Sequence, residues 1–225
     1  LRRVAAAVAG RPAVFTFDLL ANAIVAGVLL GGFYTAVSLG LTIAFGRLDV
    51  VNIAHPAFVI LGSYTAYMVN AAFGVDPVLA GLAFTPAFFA IGVGIYRVYH
   101  ASFERRGDES LRGLAFFFGL MFIVEVALIL VYGVDYRLVD APYIGATVSF
   151  GFVGVPMRML VPFALALIMT IALQQYFVRT FMGRAIMAVS QDRLALQLMG
   201  ADPTRVKQLA FGIALATASL AGAML

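Results

Sequence analysis

The chain lacks cysteine altogether, has only two histidines, and carries few charges: Asp, Glu, Lys and Arg make up 12% of its 225 residues. The missing cysteines exclude disulfides, thiolate metal sites and cysteine nucleophiles, and leave the redox compartment open. His55 and His100 lie in different loops with no ligand spacing between them, so a histidine-built metal centre is not expected. Paired carboxylates, a Ser–His arrangement and H-E-x-x-H are all absent from the apolar stretches and their flanks, which argues against an intramembrane enzyme. No G-x-x-x-x-G-K-[ST] is present either, so the chain cannot hydrolyse ATP by itself. Neither a cofactor nor a nucleic-acid partner is expected. Soluble domains carry about 25% charged residues, roughly twice what stands here.

What fills the chain instead is apolar side chain, 63% of residues, with mean hydropathy +1.01. Water cannot be the solvent for that much apolar surface; lipid can. Gly is abundant, 22 residues, which suits helices packed closely in a bilayer. A bilayer-crossing helix needs about 20 apolar residues. Six stretches qualify: roughly 19–46, 56–73, 78–96, 113–132, 159–178 and 207–225. Helices are expected because backbone polar groups in lipid must be satisfied within the element, and no alternating barrel pattern competes. The first stretch would reach about 42 Å against a hydrocarbon core of about 30 Å, so it must tilt, protrude or break. The fold class expected is an all-α polytopic transmembrane bundle, one domain over 1–225 with an N-terminal arm at 1–18. Arg2, Arg3 and Arg11 precede a run too long for a signal-peptide core. The chain opens without Met and stops inside an apolar run, which predicts a fragment lacking further C-terminal spans.

Two spans separate each of the connections 47–55, 97–112 and 179–208 from the next, so all three share one side. They hold ten basic residues: Arg47, Arg97, Arg105, Arg106, Arg112, Arg179, Arg184, Arg193, Arg205 and Lys207. The other side holds five: Arg2, Arg3, Arg11, Arg137 and Arg158. The positive-inside bias predicts that the ten face the cytoplasm, with the three-arginine arm dissenting. The 133–157 connection, rich in Gly, aromatic and β-branched residues, predicts a short hairpin or irregular cap.

The segment "RTFMGRAIMAVSQDRLALQLMGADPTRVKQLAFG" (179–212) reads as a helix–turn–helix on the basic surface. Gly183 opens a short helix through Val189, with Arg184 beside it. Ser190 or Asp192 caps a second from Arg193 to Met199, and Gly200 supplies a left-handed stop. Asp202 then caps a helix with Pro203 at its first position. Leu194, Leu196, Leu198 and Met199 are expected to be exposed among charges. Spacing alone leaves two readings open, an amphipathic loop resting on lipid headgroups or a docking knob for a soluble partner.

A second stretch, "DVVNIAHPAFVILGSY" (49–64), joins two spans. Pro56 lacks an N–H and suits a helix start, and it pushes His55 away from helical geometry. An irregular Asp49–His55 connection is expected, in which Asn52 and His55 satisfy helix-end backbone groups, line a path, or meet headgroups. Glu125 stands inside an otherwise apolar span, where an ionisable group is costly. Either a protonated interhelical hydrogen bond or exposure to an aqueous path would accommodate it. Thr35, Ser38 and Thr42 share one helix face and serve either packing or a path. Gly27 and Gly31 form G-x-x-x-G, a helix-contact pattern.

"GRAIMAVSQDRLALQLMGADPTRVKQLAF" resembles the cytoplasmic loop of the branched-chain amino acid ABC transporter permeases. "GFYTAVSLGLTIAFGRLDVVNIAHPAFVILGSY" resembles their first two spans. The resemblance covers the chain from about Leu19 onward. It departs at Pro56 and Ala57, where the family places Gly and an acidic residue. It implies a permease subunit of an ATP-driven importer in a bacterial inner membrane. Implied partners are two cytoplasmic ATP-binding subunits, a second homologous permease and a periplasmic solute-binding protein, with lipid around them. It also implies that 183–200 carries a coupling helix seated in an ATPase cleft, with Gly183, Arg184, Asp192, Leu194, Leu198, Met199 and Gly200 at the contact. The alternatives are a urea or short-chain amide importer of the same architecture and a stand-alone channel.

Overall fold

The computed structural model describes residues 17–48, 50–106, 111–150 and 153–225. The order is α1 (Phe17–Leu48), α2 (His55–Phe73), α3 (Pro77–Ser102), a 3-10 turn (Glu104–Arg106), α4 (Leu111–Tyr132), β1 (Thr147–Phe150), β2 (Val153–Pro156), α5 (Met157–Arg179), α6 (Phe181–Ala188), α7 (Arg193–Leu198) and α8 (Pro203–Ala223). Among the described residues six helices are long and apolar enough to cross a membrane: α1 to α5 and α8. Each expected stretch carries one of them. The last two residues of the expected 1–18 arm, Phe17 and Asp18, already belong to α1, and the rest lies outside the described residues. The long first helix has no break. At 32 residues it runs about 48 Å, so it must tilt or protrude from a core of about 30 Å.

Punctuation residues set the ends. Pro77 starts α3 behind the Asp76 cap, whose Oδ1 accepts from Val78 N at 2.9 Å, and Gly74 closes α2 with φ +64. The 147–156 connection is a two-stranded antiparallel hairpin, Thr147 opposite Pro156 and Phe150 opposite Val153. It is tied to α1 by Gly154 N donating to Asn22 Oδ1 at 3.0 Å.

The helix at the centre is α8. α8 packs against α1, α2 and α3, and most of its residues are buried from Val206 to Gly222. The contacts are backbone-close because small residues face it. A Cβ on Gly40 of α1 would lie 2.4 Å from Ala214 O. One on Gly62 of α2 would lie 2.9 Å from Ala218 O, and one on Gly92 of α3 would lie 2.9 Å from Gly212 Cα. Lipid tails give no hydrophobic drive between helices, so such close approach is what holds them. Gly27 and Gly31 behave otherwise: nothing of the described chain comes within 4 Å of a Cβ at either, so their G-x-x-x-G makes no helix contact here.

Candidate functional site

The basic end of the bundle carries the surface helix pair. Thr180, not Gly183, opens α6: its Oγ1 accepts from Gly183 N at 2.9 Å and donates to Tyr176 O at 2.8 Å. Gly183 is buried inside the helix, where a Cβ would lie 2.2 Å from Tyr176 O, so the residue is there for contact and not for initiation. Asp192 caps α7 as expected, accepting from Ala195 N at 2.9 Å. Gly200 adopts φ +81, the left-handed stop. Asp202 caps α8 through Thr204 N at 2.9 Å, with Pro203 in the first turn.

The apolar residues of this segment divide into two sets. Ile186, Val189 and Leu196 are buried in the same core cluster as Val206 and Phe211 of α8. Leu194, Leu198 and Met199 are 66%, 81% and 73% exposed. Leu196 therefore corrects the sequence expectation: it points into the bundle as a rivet, because a two-turn helix lying on a surface must give one side to it. What stays outside is an apolar knob on a hydrophobically anchored base, with Arg184 and Asp192 exposed beside it.

Asn52 and His55 sit deeper. Val51 to Ala54 form an irregular turn, with Ile53 N donating to Val51 O at 3.2 Å and His55 N to Asn52 O at 3.3 Å. Helix α2 starts at His55 itself, with Pro56 in its first turn. The His55 ring is wedged between helices, since a Cβ on Gly40 would lie 2.4 Å from His55 Cε1 and 2.6 Å from Thr217 Oγ1. Thr217 is fourteen residues into α8, about 21 Å along its axis, so the His55 ring at the start of α2 lies well inside the bundle. His55 Nε2 is 3.1 Å from Val37 O; a carbonyl only accepts, so Nε2 carries the hydrogen. His55 Nδ1 and both side-chain polar atoms of Asn52 are buried without a hydrogen bond inside the described chain. Backbone broken at such depth persists only when buried in protein or facing a water-filled cavity.

Thr35, Ser38 and Thr42 lie on an exposed face of α1. Their hydroxyls donate back to Gly31 O at 2.8 Å, Thr35 O at 3.0 Å and Ser38 O at 2.8 Å. That face continues through Gly27 and Gly31 and is uncovered along its length, opposite the buried Ala36, Gly40 and Ala44. Glu125 is half-buried on α4 and makes no hydrogen bond or ion pair with another described residue.

Sequence reading missed two features. At the end opposite the basic loops a cavity of about 850 Å³ is lined by Tyr64, Tyr67, Arg137, Tyr143, Arg158 and Met224, among others. Beside it, burial, then the Asp76 charge and hydrogen bond, push the Tyr143 hydroxyl up to about 12. At the basic end, Glu104 and Lys207 form a buried ion pair. Tyr96 donates to Glu104 Oε2, and His100 Nδ1 lies 2.9 Å from the same oxygen. Burial alone would raise the Glu104 carboxyl. The hydrogen bonds from Lys207, Tyr96 and His100 and the lysine charge outweigh it and hold the carboxyl below its ordinary value. The available signal was a lone glutamate just beyond an apolar stretch and a lysine five residues past the Asp202 cap; nothing in their spacing pairs them.

No solved structure matches the chain. The family described as branched-chain amino acid transport system, permease component, matches residues 23–225. The chain is 28% identical to the high-affinity branched-chain amino acid transport system permease protein LivH of Escherichia coli strain K12, covering 88% of this chain and 68% of that one. LivH of Salmonella typhimurium is 27% identical with the same coverage, and BraD of Pseudomonas aeruginosa is 24% identical over 90% of this chain and 69% of that protein. With six apolar helices beneath those likenesses, the chain belongs to the permease-component family of branched-chain amino acid transport systems, as a multi-pass inner-membrane transport subunit and not a catalytic one.

Proposed function

We propose that this chain is one permease subunit of an ATP-driven importer, moving branched-chain or other neutral amino acids from an extracytoplasmic binding protein to the cytoplasm. The observation that carries the reading is the division of the 179–202 segment into a buried base and an exposed knob of Leu194, Leu198 and Met199. A loop merely floating on headgroups needs no rivets. A loop that must transmit displacement needs both a grip on the bundle and a surface to be gripped. The positive-inside bias of the ten basic residues supports a cytoplasmic position for this end. There two ATP-binding subunits supply the hydrolysis that this chain's lack of a phosphate-binding loop denies it.

The uncovered Gly27–Thr42 face of α1 is where a second, homologous permease completes the pore. Thr35, Ser38 and Thr42 give that side a mildly polar lining, without a fixed charge, that suits a zwitterion. The 850 Å³ cavity at the other end is the mouth beneath the binding protein, and the Asn52–His55 break is the gate between mouth and cytoplasm. Glu125, half-buried on α4, is assigned to the same path.

Uptake into proteoliposomes containing the permease pair, the ATPases and the binding protein tests the reading. Labelled leucine should enter only with ATP, and excess isoleucine or valine should suppress entry while urea does not. Leu198→Asp should insert normally yet no longer bring down the ATPase. ATP-independent flux would identify a channel instead, and suppression by urea alone would identify the amide importer.

A further inference from the structure

Lys207 and Glu104 belong to different parts of the chain, and their side chains meet out of water. Lys207 is 3% exposed, and the Glu104 carboxylate it meets is nearly as enclosed. Lys207 stands just after the Asp202 cap, so it is the first inward-pointing charge beyond the surface helix pair. Glu104 stands on the 3-10 turn that ends α3. Burying two charges carries a desolvation penalty, and apolar residues of equal shape serve stability as well or better. Net stability therefore does not by itself account for the pair, and register between the two elements is the other quantity it sets.

The rest of the α3–α8 contact shows what register is being held. The two helices run antiparallel and are fastened at three levels. Far from the basic end, Ser219 Oγ donates to Gly81 O at 2.9 Å. Midway, Gly92 and Gly212 bring the backbones together with no room for a Cβ on either side. At the basic end the Lys207–Glu104 pair closes the contact, braced by Tyr96, His100 and the stacked rings of Phe117 and Phe211. The first two fasteners lie in the middle and outer part of the bundle. Only the third lies where the surface helix pair hands its motion to α8.

We propose that Lys207 and Glu104 are positioning residues for energy coupling: the buried cluster they form with Tyr96 and His100 makes α3 and α8 a single lever, so that displacement of the 179–202 helix pair moves both. Without the pair, α8 slides or rotates at its base against α3, and the push is spent locally. The proposal rests on the transport reading above.

The test uses the complete reconstituted transporter and three variants, Glu104→Gln, Lys207→Met and the double Glu104→Gln/Lys207→Met. Each single variant strands a buried charge or its partner and should lower thermal stability. The double variant removes both charges of the Lys207–Glu104 pair and should melt closer to the unsubstituted protein than either single variant does. It should still bring down the ATPase and hydrolyse ATP, but the ATP consumed per leucine imported should rise by about tenfold, the scale of ordinary site-to-site coupling. A merely structural pair predicts the opposite, uptake and stoichiometry recovering together with stability in the double variant, and that result overturns the inference. If the unsubstituted chain brings down no ATPase, the transport reading falls and takes this one with it. A bound ATPase with unchanged stoichiometry sinks the inference alone.

Discussion

At the scale of single residues, the positions that matter most are those where one atom more or one charge less cannot be absorbed. Gly40 is one: an added methyl would press on Ala214 O and on the His55 ring at once. Gly40→Ala should cost about 1–3 kcal/mol, as overpacking does, and lower the thermal unfolding midpoint of the detergent-purified protein. Gly27→Ala meets open space inside a helix and should leave the midpoint level or slightly raised. Glu104 makes a second case, through pH. Its folded carboxyl titrates below the unfolded value, so the stability it contributes is present above the ordinary glutamate value near 4.3 and is lost as pH falls through its lowered folded value. The unfolding midpoint should hold across neutral pH and drop in acid below about pH 4, and Glu104→Gln should flatten that drop. An acid limb unchanged in Glu104→Gln would show that other carboxylates set it.

At the scale of elements, the surface pair α6–α7 shows how one short segment can carry two opposite apolar surfaces. Leu196 and Leu198 are two residues apart, and a helix turns them to nearly opposite sides. Leu196→Asp should therefore destabilise the segment and lower the yield of folded protein, while Leu198→Asp should leave yield alone and remove only ATPase capture. Equal yields of the two variants would contradict the buried and exposed assignments. Gly200 closes the pair with φ +81, so Gly200→Ala should weaken the turn by about 1 kcal/mol, read as a small loss of midpoint. The caps of this segment were legible in the sequence because each rests on local geometry: Asp192, Gly200, Asp202 and Pro203 act within a few residues. Gly183 misled because a glycine can serve initiation or close contact, and only the approach of Tyr176 O decides which.

At the scale of the whole molecule, the absence of cysteine is an experimental asset. Leu198→Cys and Arg137→Cys each place a single thiol at one end of the bundle, with no other cysteine among these 225 residues. A membrane-impermeant maleimide should label Leu198→Cys only from the cytoplasmic side and Arg137→Cys only from the other. Labelling of both from one side would contradict the bundle itself, and the reverse pattern would overturn the orientation drawn from the arginines. The His55 break also belongs to this scale. The sequence marked Asn52, His55 and Pro56 as a disturbance between two spans, but their depth follows from α8 threading past Gly40, which nothing near residue 55 records.

The sequence by itself determined that six apolar segments cross a membrane as helices, where most of them begin and end, which end carries the basic charge, and that a capped helix pair precedes the last span. Those are decisions of solvent and local backbone, made by composition and by prolines, glycines and aspartates over a few residues. Only the tertiary structure decided that α8 is the central span here, that the Gly27–Gly31 pattern stays uncovered while Gly40, Gly62 and Gly92 close onto α8, and that Glu104 finds Lys207. The physical reason is that apolar surface does not choose partners in a lipid solvent. Shape does, and complementary shape is a property of two distant segments together that neither displays alone.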